Sequence, residues 1–441
     1  MAHFDRKVLC VIAELVLRVG MKTFHSRDPV KPENSFYVDP NEWNQQYLQP
    51  IIDQGKHAIL LGPSQSGKTS RALLYQSVLK CNGYLCLYIS AMNMALPPSD
   101  LFNRFKLEMK DQLLQFGQKY QIDFNSFAGF FDSKFNKPMV LIIDEIDALG
   151  AAHVNAEQRR EFLSVIKSQK DRRIAGGIVT LVATIAISNV FVINDTIGSS
   201  AYIMDVVYAP FFSLDQTRTL FSQYETQNGI SVDPKIVEQI YEFTNGAPGL
   251  TAIMGQQLDN EKKRLKRVPN PSEWHTFLNS KTCIRNVLQT ANYSLMYNHL
   301  LRDKHVFNIL LDHLSNKRPL GAIQKDDLDF LQKINVIRVV KNNVTVANPF
   351  VLCLIAYMMR KEPSNRQNPT LLSPNGNVDV KNLILEAAKL INPFDVLLQE
   401  KQASNNHCSN CPPGYKEITY VNAFKKAMEE LMQAYQHSKI Y

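Results

Sequence analysis

The chain has few of the features that mark a secreted or membrane-spanning protein. Its 441 residues include seven cysteines, an odd and scattered set that does not suggest a disulfide framework. Residues 8–21 form an apolar stretch, but Glu14 and Arg18 interrupt it, and it is too short to span a bilayer. We expect an amphipathic helix there, no signal peptide, no membrane contact, and an intracellular protein of the cytoplasm or nucleus.

The chain also lacks a strong net charge. The formal charge of +8, with 20% charged residues, permits a nucleic-acid or acidic partner without arguing for one. Because 45% of the residues are hydrophobic, the composition excludes a disordered protein. The length predicts about two to four domains, and no internal repeat or low-complexity tract is apparent.

What the chain does contain is a complete phosphate-binding pattern. The motif G-x-x-x-x-G-K-[ST] and the residue after it comprise Gly62, Pro63, Ser64, Gln65, Ser66, Gly67, Lys68, Thr69 and Ser70. Gly62 and Gly67 permit backbone angles that turn successive N–H groups towards a phosphate. Lys68 would reach the β- and γ-phosphates, and the Thr69 hydroxyl would hold Mg²⁺. An apolar run before the pattern and helical spacing after it predict the flanking strand and helix, so we expect an ATP site.

A second motif completes this site in the sequence. The aliphatic run 138–143 ends in Asp144 and Glu145, about 75 residues after the phosphate loop. Ligands of open α/β sheets bind at the carboxyl ends of strands. Asp144 would therefore hold Mg²⁺ through water, and Glu145 would polarise the attacking water as a general base.

Two further predictions concern the γ-phosphate. The run 177–183 predicts a strand with Thr184 at its end, where a polar side chain can sense the phosphate beside the two acids. Arg172 and Arg173 precede this strand, and either could be an arginine finger, in the same chain or towards a neighbouring subunit. The alternative for both is a cationic helix C-terminus that complements the helix dipole.

Three other segments admit a functional or a structural interpretation, and packing or solvation is favoured for each. Tyr37, Val38 and Trp43 precede the first strand, where they could contact adenine. The aromatic stretch 124–135 could stack on bases. The cationic run 261–267 could bind phosphates, although a solvated helix end explains it as well.

The later part of the chain is mainly helical. Helices are predicted at about 215–228, 233–244 and 249–266, the first of them capped by Ser213 or Asp215. Two helices and a hairpin around Asn342-Asn343 then describe a winged-helix domain. One C-x-x-C at 408–411, with an adjacent histidine but no second pair, does not favour a zinc site.

Together these elements predict an α/β protein. We expect a three-layer α/β/α P-loop NTPase with a parallel sheet, followed by an α-helical lid, a winged-helix domain and a small helical C-terminal extension. The predicted segments are an N-terminal helix with a polar stretch (1–35), the ATPase core (36–212), the lid (213–290), the winged helix (291–360), a linker (361–376) and the extension (377–441).

The order of these motifs resembles the AAA+-related signal-transduction ATPases with numerous domains (STAND), including archaeal-type ATPases. More closely than these, residues 45–350 resemble the ATPase module of crinkler-type proteins of fungi and oomycetes, which carry comparable GPxxSGKT, LIIDEID and TxGxPGL segments. The resemblance implies that Gly246, Ala247 and Pro248 lie against the adenine or ribose and couple the lid to the nucleotide state. A ubiquitin-like header and a nuclease acid–acid–lysine constellation after residue 360 are not found, so nuclease activity is not carried over.

The leading functional prediction is an ATP-hydrolysing, Mg²⁺-dependent switch that moves its lid and winged helix. One alternative is a switch that binds ATP or ADP without hydrolysis, and another is a DNA-binding protein regulated by ATP. DNA is not favoured, because the would-be recognition helix 324–334 carries Asp326, Asp327 and Asp329. Self-association and a protein partner are left open.

Overall fold

The computed structural model describes residues 21–26, 28–95, 100–115, 125–132, 135, 137–151, 153–174, 181–189, 204–314, 324–340 and 343–361. The predicted N-terminal helix, the linker, the C-x-x-C and the C-terminal extension lie outside these residues, apart from 21–35. Two compact units are distinguished. The first comprises the chain up to 230 with 247–256 and 323–335, and the second comprises 231–246, 257–322 and 336 onwards.

The first unit is built on a five-stranded parallel sheet, as predicted. Its strands are β1 (His57–Leu61), β2 (Leu85–Ser90), β3 (Met139–Asp144), β4 (Leu181–Ser188) and β5 (Met204–Tyr208). Their order across the sheet is β2-β3-β4-β1-β5, which places β1 between β4 and β5. Leu61 is in register with Ser188 and Tyr208, and Ser90 with Asp144, so these residues share the carboxyl edge.

Helices cover both faces of this sheet. Up to residue 230, the described helices of the first unit are α1 (Asn41–Tyr47), α2 (Gln49–Asp53), α3 (Lys68–Cys81), α4 (Ala91–Met94), α5 (Leu101–Gln115), α6 (Phe127–Asp132), a 3₁₀ helix (Ile146–Gly150), α7 (Ala156–Ile174) and α8 (Leu214–Asn228). Alternate strand residues face opposite sides, as a pleated strand requires. Leu141 and Ile143 join the core with α5 to α7, whereas Val140 and Ile142 join the core with α3.

The aromatic stretch belongs to the core. Phe127, Phe130 and Phe131 are fully buried in α6 and pack edge-on or tilted against Phe105 of α5. Such offset and edge-to-face contacts stabilise aromatic clusters beyond area burial. The described part of the stretch therefore packs against the sheet, which confirms the structural interpretation over base stacking.

An N-terminal segment folds back onto the same unit. Thr23 and Ser35 form an isolated β-bridge, and Phe24 packs on Phe221 and Tyr224 of α8. Between them, the backbone N–H of Val30 donates to Ser70 Oγ in the first turn of α3, at 3.0 Å. Residues 21–37 thus connect the phosphate-loop helix to α8.

The remaining helices lie beyond residue 230. They are α9 (Pro234–Thr244), α10 (Pro248–Leu265), α11 (Pro271–Leu278), α12 (Lys281–Leu288), α13 (Ala291–Arg302), α14 (Lys304–Leu314), α15 (Lys325–Lys333) and α16 (Pro349–Lys361). An antiparallel hairpin pairs β6 (Ile337–Val340) with β7 (Asn343–Val346), as the sequence predicted. Within the second unit, Phe350 packs edge-on against Phe243 and Tyr293. No described helix is long and apolar enough to cross a membrane.

Helix starts follow the sequence rules. Ser213 caps α8 in a reciprocal capping box with Gln216, so Ser213 rather than Asp215 is the cap. Asn270 and Glu273 form the same motif at α11. Gly67, in contrast, starts α3 without any side-chain cap. The first N–H groups of α3 therefore receive no capping side chain at this residue.

Candidate functional site

The phosphate loop connects the end of β1 to the start of α3, and its two glycines are needed for different reasons. Gly67 has a φ of +81°, which glycine adopts at little cost. A Cβ on Gly62 would lie 2.6 Å from Ser66 Oγ, so this position requires space rather than an unusual angle. The loop is thus a compact turn that ends at the positive N-terminal end of a 14-residue helix, where anions bind favourably.

Lys68 lies inside this turn. Its Nζ is within 2.8 Å of Gly62 O, 2.7 Å of Pro63 O and 3.0 Å of Asn189 Oδ1. The residue is only 6% exposed, and burial lowers the pKa of its ammonium to about 8 despite the carboxylates of Asp144, Asp147 and Glu145. A buried cation with a lowered pKa is stabilised by an added anion, so the loop is suited to a phosphate.

Asp144, at the end of β3, is held by three donors. The Thr69 hydroxyl donates to Asp144 Oδ2 at 2.9 Å, and the Tyr88 hydroxyl donates to the same oxygen at 2.7 Å. The backbone N–H of Glu145 donates to Oδ1 at 2.9 Å. Burial, followed by the carboxylate of Asp144, raises the pKa of Tyr88, so this hydroxyl remains a donor. The structure therefore brings the two predicted metal-binding residues together.

Glu145 adopts a backbone conformation that is uncommon for its type. Its φ of +53° lies in the left-handed region, which costs energy for a non-glycine residue and is often found at functional sites. Burial, then the charges of Asp144 and Asp147, raise the pKa of its carboxyl. A raised pKa suits a carboxylate that accepts a proton near neutral pH. Ser90 Oγ, at the end of β2, lies 3.4 Å from Glu145 Oε2.

The prediction for Thr184 was wrong about its place in the strand. The described strand β4 (Leu181–Ser188) ends at Ser188 and not at 183, and Thr184 is in register with His57 at the start of β1. Thr184 is fully buried, four residues before the carboxyl edge, or about 13 Å along a strand. Asn189 follows β4 directly and contacts Lys68, so Asn189 lies where a polar sensor of the γ-phosphate was expected.

The sequence reasoning missed Asn189, although a signal for it was present. Asp144 is the first polar residue after the apolar run of β3, and Ser188 and Asn189 likewise come directly after the apolar residues 185–187 of β4. Ser188 Oγ lies 3.5 Å from Asp147 Oδ1, which brings another residue of this edge next to the acids. The edge thus combines polar side chains from β2, β3 and β4.

The two candidate arginine-finger residues, Arg172 and Arg173, lie in the last turn of α7, away from the phosphate loop. Arg172 forms a hydrogen-bonded ion pair with Asp132 of α6, and both side chains are about half exposed. Because α7 leads into the amino end of β4, its last turn lies at the opposite edge of the sheet from the phosphate loop. Arg173 belongs to the same turn of α7. The fold therefore does not bring Arg172 to the loop of its own chain, and the backbone of Arg173 lies at the same far edge.

Pro248 does lie beside the loop. Its Cβ is 3.7 Å from the place that a Cβ on Gly67 would occupy. The N–H of the next residue, Gly249, donates to Gln65 O at 3.0 Å, and a Cβ on Gly249 would lie 2.6 Å from Gln65 Cβ. Gly249 thus permits the first turn of α10 to approach the phosphate loop. The sequence analysis did not single out this residue.

Of the three candidate adenine contacts, Trp43 is close to the phosphate-loop helix. The Arg71 guanidinium, in the first turn of α3, lies 4.5 Å from the centre of the Trp43 ring. Arg71 is 8% exposed, its Nε has no hydrogen-bond partner among the described residues, and burial lowers its pKa to about 10. The backbone of Tyr37, next to Val38, is instead held by the side chain of Gln223 of α8: the Tyr37 N–H donates to Gln223 Oε1, and Gln223 Nε2 donates to Tyr37 O.

The cationic run at the end of α10 is balanced by nearby acids. Lys262 and Lys263 pair with Asp259, and Arg264 pairs with Glu261. Arg267 forms a hydrogen-bonded ion pair with Glu273, and the hydrogen bond from Arg267, followed by that from the Asn270 N–H, lowers the pKa of this carboxyl to about 2. These pairs favour the predicted solvated helix end over a phosphate-binding patch.

The residues present fit a nucleotide-bound Mg²⁺ ion. No group of three or more His, Cys, Asp or Glu among the described residues could hold a metal by itself. Thr69 and Asp144 supply two oxygen groups at one place. Mg²⁺ usually takes one or two protein oxygens, with waters and substrate phosphates completing its shell. Bound there, the ion would offset phosphate charge.

Comparison with known proteins identifies the fold. A Walker-type ATPase of Pyrococcus abyssi is similar over 75% of this chain and 99% of its own, with 14% identity and a TM-score of 0.52. RuvB of Thermotoga maritima, a Holliday junction branch migration motor, matches 74% of this chain and 96% of its own, with 13% identity and a TM-score of 0.40. Cdc6p of Pyrobaculum aerophilum matches 76% of this chain and 96% of its own, with 13% identity and a TM-score of 0.43. No family model and no curated protein sequence matches. The likeness to the Pyrococcus protein shows that this chain shares the fold of that Walker-type ATPase.

Proposed function

We propose that this protein binds ATP with Mg²⁺ and hydrolyses it to ADP and phosphate. The observation that carries the proposal is the convergence of Lys68, Thr69, Asp144 and Glu145 at one edge of the sheet. Each of these four was expected from sequence to contact phosphate, metal or water. A P-loop ATPase fold at low identity is consistent with this activity but does not specify it.

The side chains suggest how hydrolysis proceeds. Gly62 to Ser70 would hold the phosphates through backbone N–H groups, while Lys68 neutralises the charge on the γ-phosphate. Glu145 would take a proton from water as the water oxygen bonds to the γ-phosphorus and the bond to the β-phosphate oxygen breaks. Asn189, beside Lys68, would orient either the attacking water or the γ-phosphate.

We further propose that the nucleotide state is transmitted through α10, as in the STAND and crinkler-type ATPases that the sequence resembles. Pro248 and Gly249 contact the loop that would change on phosphate binding. Helix α15 adds a second connection, because Lys333 Nζ lies 3.9 Å from Asp147 Oδ2. In this proposal, 213–290 is the lid and 291–360 the winged-helix domain, and both respond to ATP.

Two alternatives are retained, each on a specific observation. A switch without hydrolysis is favoured if Arg172 or Arg173 must act on a neighbouring copy. The Arg172 side chain pairs with Asp132, and the turn of α7 that carries both arginines lies at the opposite edge of the sheet from the loop. DNA binding is less favoured, since Lys262, Lys263, Arg264 and Arg267 pair with acids, and Lys333 of α15 faces Asp147.

An ATPase assay on the purified chain, repeated over a hundredfold range of protein concentration and with and without DNA, tests the proposal. Hydrolysis that requires Mg²⁺ and is unaffected by DNA supports it. A specific activity that rises with concentration would assign the finger role to a neighbouring copy. ATP binding without any hydrolysis at the highest concentration would favour the non-hydrolysing switch.

A further inference from the structure

Tyr88 is a residue of the site that the phosphate-loop motifs do not contain. It lies in β2, two residues before the strand ends, and is in register with Ile142 of β3. Its side chain is partly buried against the core on the α3 side of the sheet. From there its hydroxyl reaches across the strand end and donates to Asp144 Oδ2 at 2.7 Å.

This hydrogen bond changes what Asp144 can offer to a cation. A carboxylate has about four lone-pair sites, and the donors from Thr69, Tyr88 and Glu145 occupy three of them. Both hydroxyl donors meet on Oδ2, while Oδ1 accepts a single backbone N–H. The orientation of the carboxylate is therefore fixed, and Oδ1 is the oxygen with remaining capacity.

The same arrangement orients Thr69. Because its hydroxyl proton points to Asp144 Oδ2, the lone pairs of the Thr69 oxygen point away from this carboxylate. Those lone pairs are the part of the hydroxyl that a divalent cation needs. Without the Tyr88 donor, Oδ2 could accept from other groups and the carboxylate could rotate, so Thr69 would lose its fixed partner.

We propose that Tyr88 is a positioning residue that holds Asp144 in the orientation required by the Mg²⁺ ion bound with the nucleotide. The inference rests on the proposed function, because it concerns the metal of the same site. Residues that orient metal-binding groups typically change metal affinity about 10- to 100-fold when they are replaced. Tyr88 would act through Asp144 and would not itself contact nucleotide or metal.

A structural role for the hydroxyl is the competing explanation, and the chain offers a matched control. Tyr75 of α3 packs in the same core cluster, and its hydroxyl donates to Gln49 Oε1, away from the strand ends. Tyr88→Phe and Tyr75→Phe each remove one hydroxyl and one hydrogen bond and keep the ring. A purely structural effect should appear in both variants.

The experiment measures binding of a fluorescent ATP analogue to the full chain, first in EDTA and then across a Mg²⁺ series. For Tyr88→Phe we expect the Mg²⁺ concentration at half-maximal effect to rise about tenfold, with the affinity in EDTA unchanged. Tyr75→Phe should show the wild-type Mg²⁺ response. In an Asp144→Asn background, Tyr88→Phe should have no further effect on that response.

Three results would overturn the inference. A Tyr88→Phe protein with the wild-type Mg²⁺ response would show that the hydroxyl does not position Asp144. Equal shifts in the Tyr88→Phe and Tyr75→Phe proteins, together with lowered melting temperatures, would assign the effect to packing. Failure of the wild-type protein to bind the analogue with or without Mg²⁺ would instead refute the proposed function, and the inference with it.

Discussion

The phosphate loop and the strand ends β2 to β4 form two halves of one site by different means. The loop relies on backbone geometry: Gly67 with a positive φ, Gly62 packed under Ser66, and an uncapped helix start. The strand ends rely on side chains, with Asp144 held by three donors and Glu145 in a left-handed conformation. The first half is suited to affinity and the second to metal dependence and turnover. Substitutions in the loop should therefore mainly weaken ATP binding, whereas substitutions at the strand ends should mainly change the Mg²⁺ dependence and the rate of hydrolysis.

The largest effect is expected in the loop. Lys68→Ala removes the buried ammonium that would pair with the phosphates, and such losses typically cost about 2–5 kcal/mol or more. ATP binding, measured by calorimetry, should weaken at least about thirtyfold or disappear, while the far-ultraviolet circular dichroism spectrum stays unchanged. Unaltered affinity in a folded variant would remove Lys68 from the site.

Asn189, directly after β4, and Thr184, inside the same strand, provide a matched pair. Asn189→Ala deletes the amide beside Lys68, and losing one positioned group of this kind costs about 10²- to 10³-fold in rate, with a smaller change in ATP affinity. Thr184→Val keeps the shape of a buried side chain whose hydroxyl has no hydrogen-bond partner among the described residues. Hydrolysis by Thr184→Val should be normal. If Thr184→Val loses activity and Asn189→Ala keeps it, the sensor is Thr184 after all.

Gly249 tests whether α10 supports the loop. An alanine there would place its Cβ 2.6 Å from Gln65 Cβ, and steric overpacking typically costs about 1–3 kcal/mol. We expect Gly249→Ala to weaken ATP binding by about tenfold. Gly255→Ala, in the same helix, clashes with Phe24 and not with the loop. We expect the Gly255→Ala protein to have a lower melting temperature than wild type and an unchanged ATP affinity. Equal losses of ATP affinity in both variants would refute the specific role of Gly249.

The smallest effect is a dependence on pH. Since burial lowers the pKa of Lys68 to about 8 and bound phosphate favours its charged form, ATP binding above that pH takes up a proton. Affinity should fall as pH rises from 8 to 10, by at most about tenfold per unit, and this group should cause little change below pH 7. Lys68→Arg, which stays charged, should lose this dependence. A wild-type affinity that is constant up to pH 10 would contradict the lowered pKa.

A feature could be predicted from the sequence when the residues that define it are neighbours in the chain. The loop, Asp144 and Glu145 were found because each motif is contiguous and sits at the end of an apolar run. The predicted end of β4, at 183, lies five residues before its observed end at Ser188, because the apolar run has no period that marks where it stops, and pairing with His57 and Met139 decides the register. The contacts of Tyr88 with Asp144 and of Gly249 with Gln65 join distant segments, so they required the fold.

The most direct test of the central claim is single-turnover hydrolysis of ATP by Glu145→Gln beside wild type. The amide keeps the size of the side chain but cannot accept the proton, and removing a general base typically costs about 10²- to 10⁴-fold in rate. We predict a loss of that size with ATP and Mg²⁺ affinities within about twofold of wild type, because Lys68, Thr69 and Asp144 are unchanged. Equal, measurable rates for the two proteins would contradict the account.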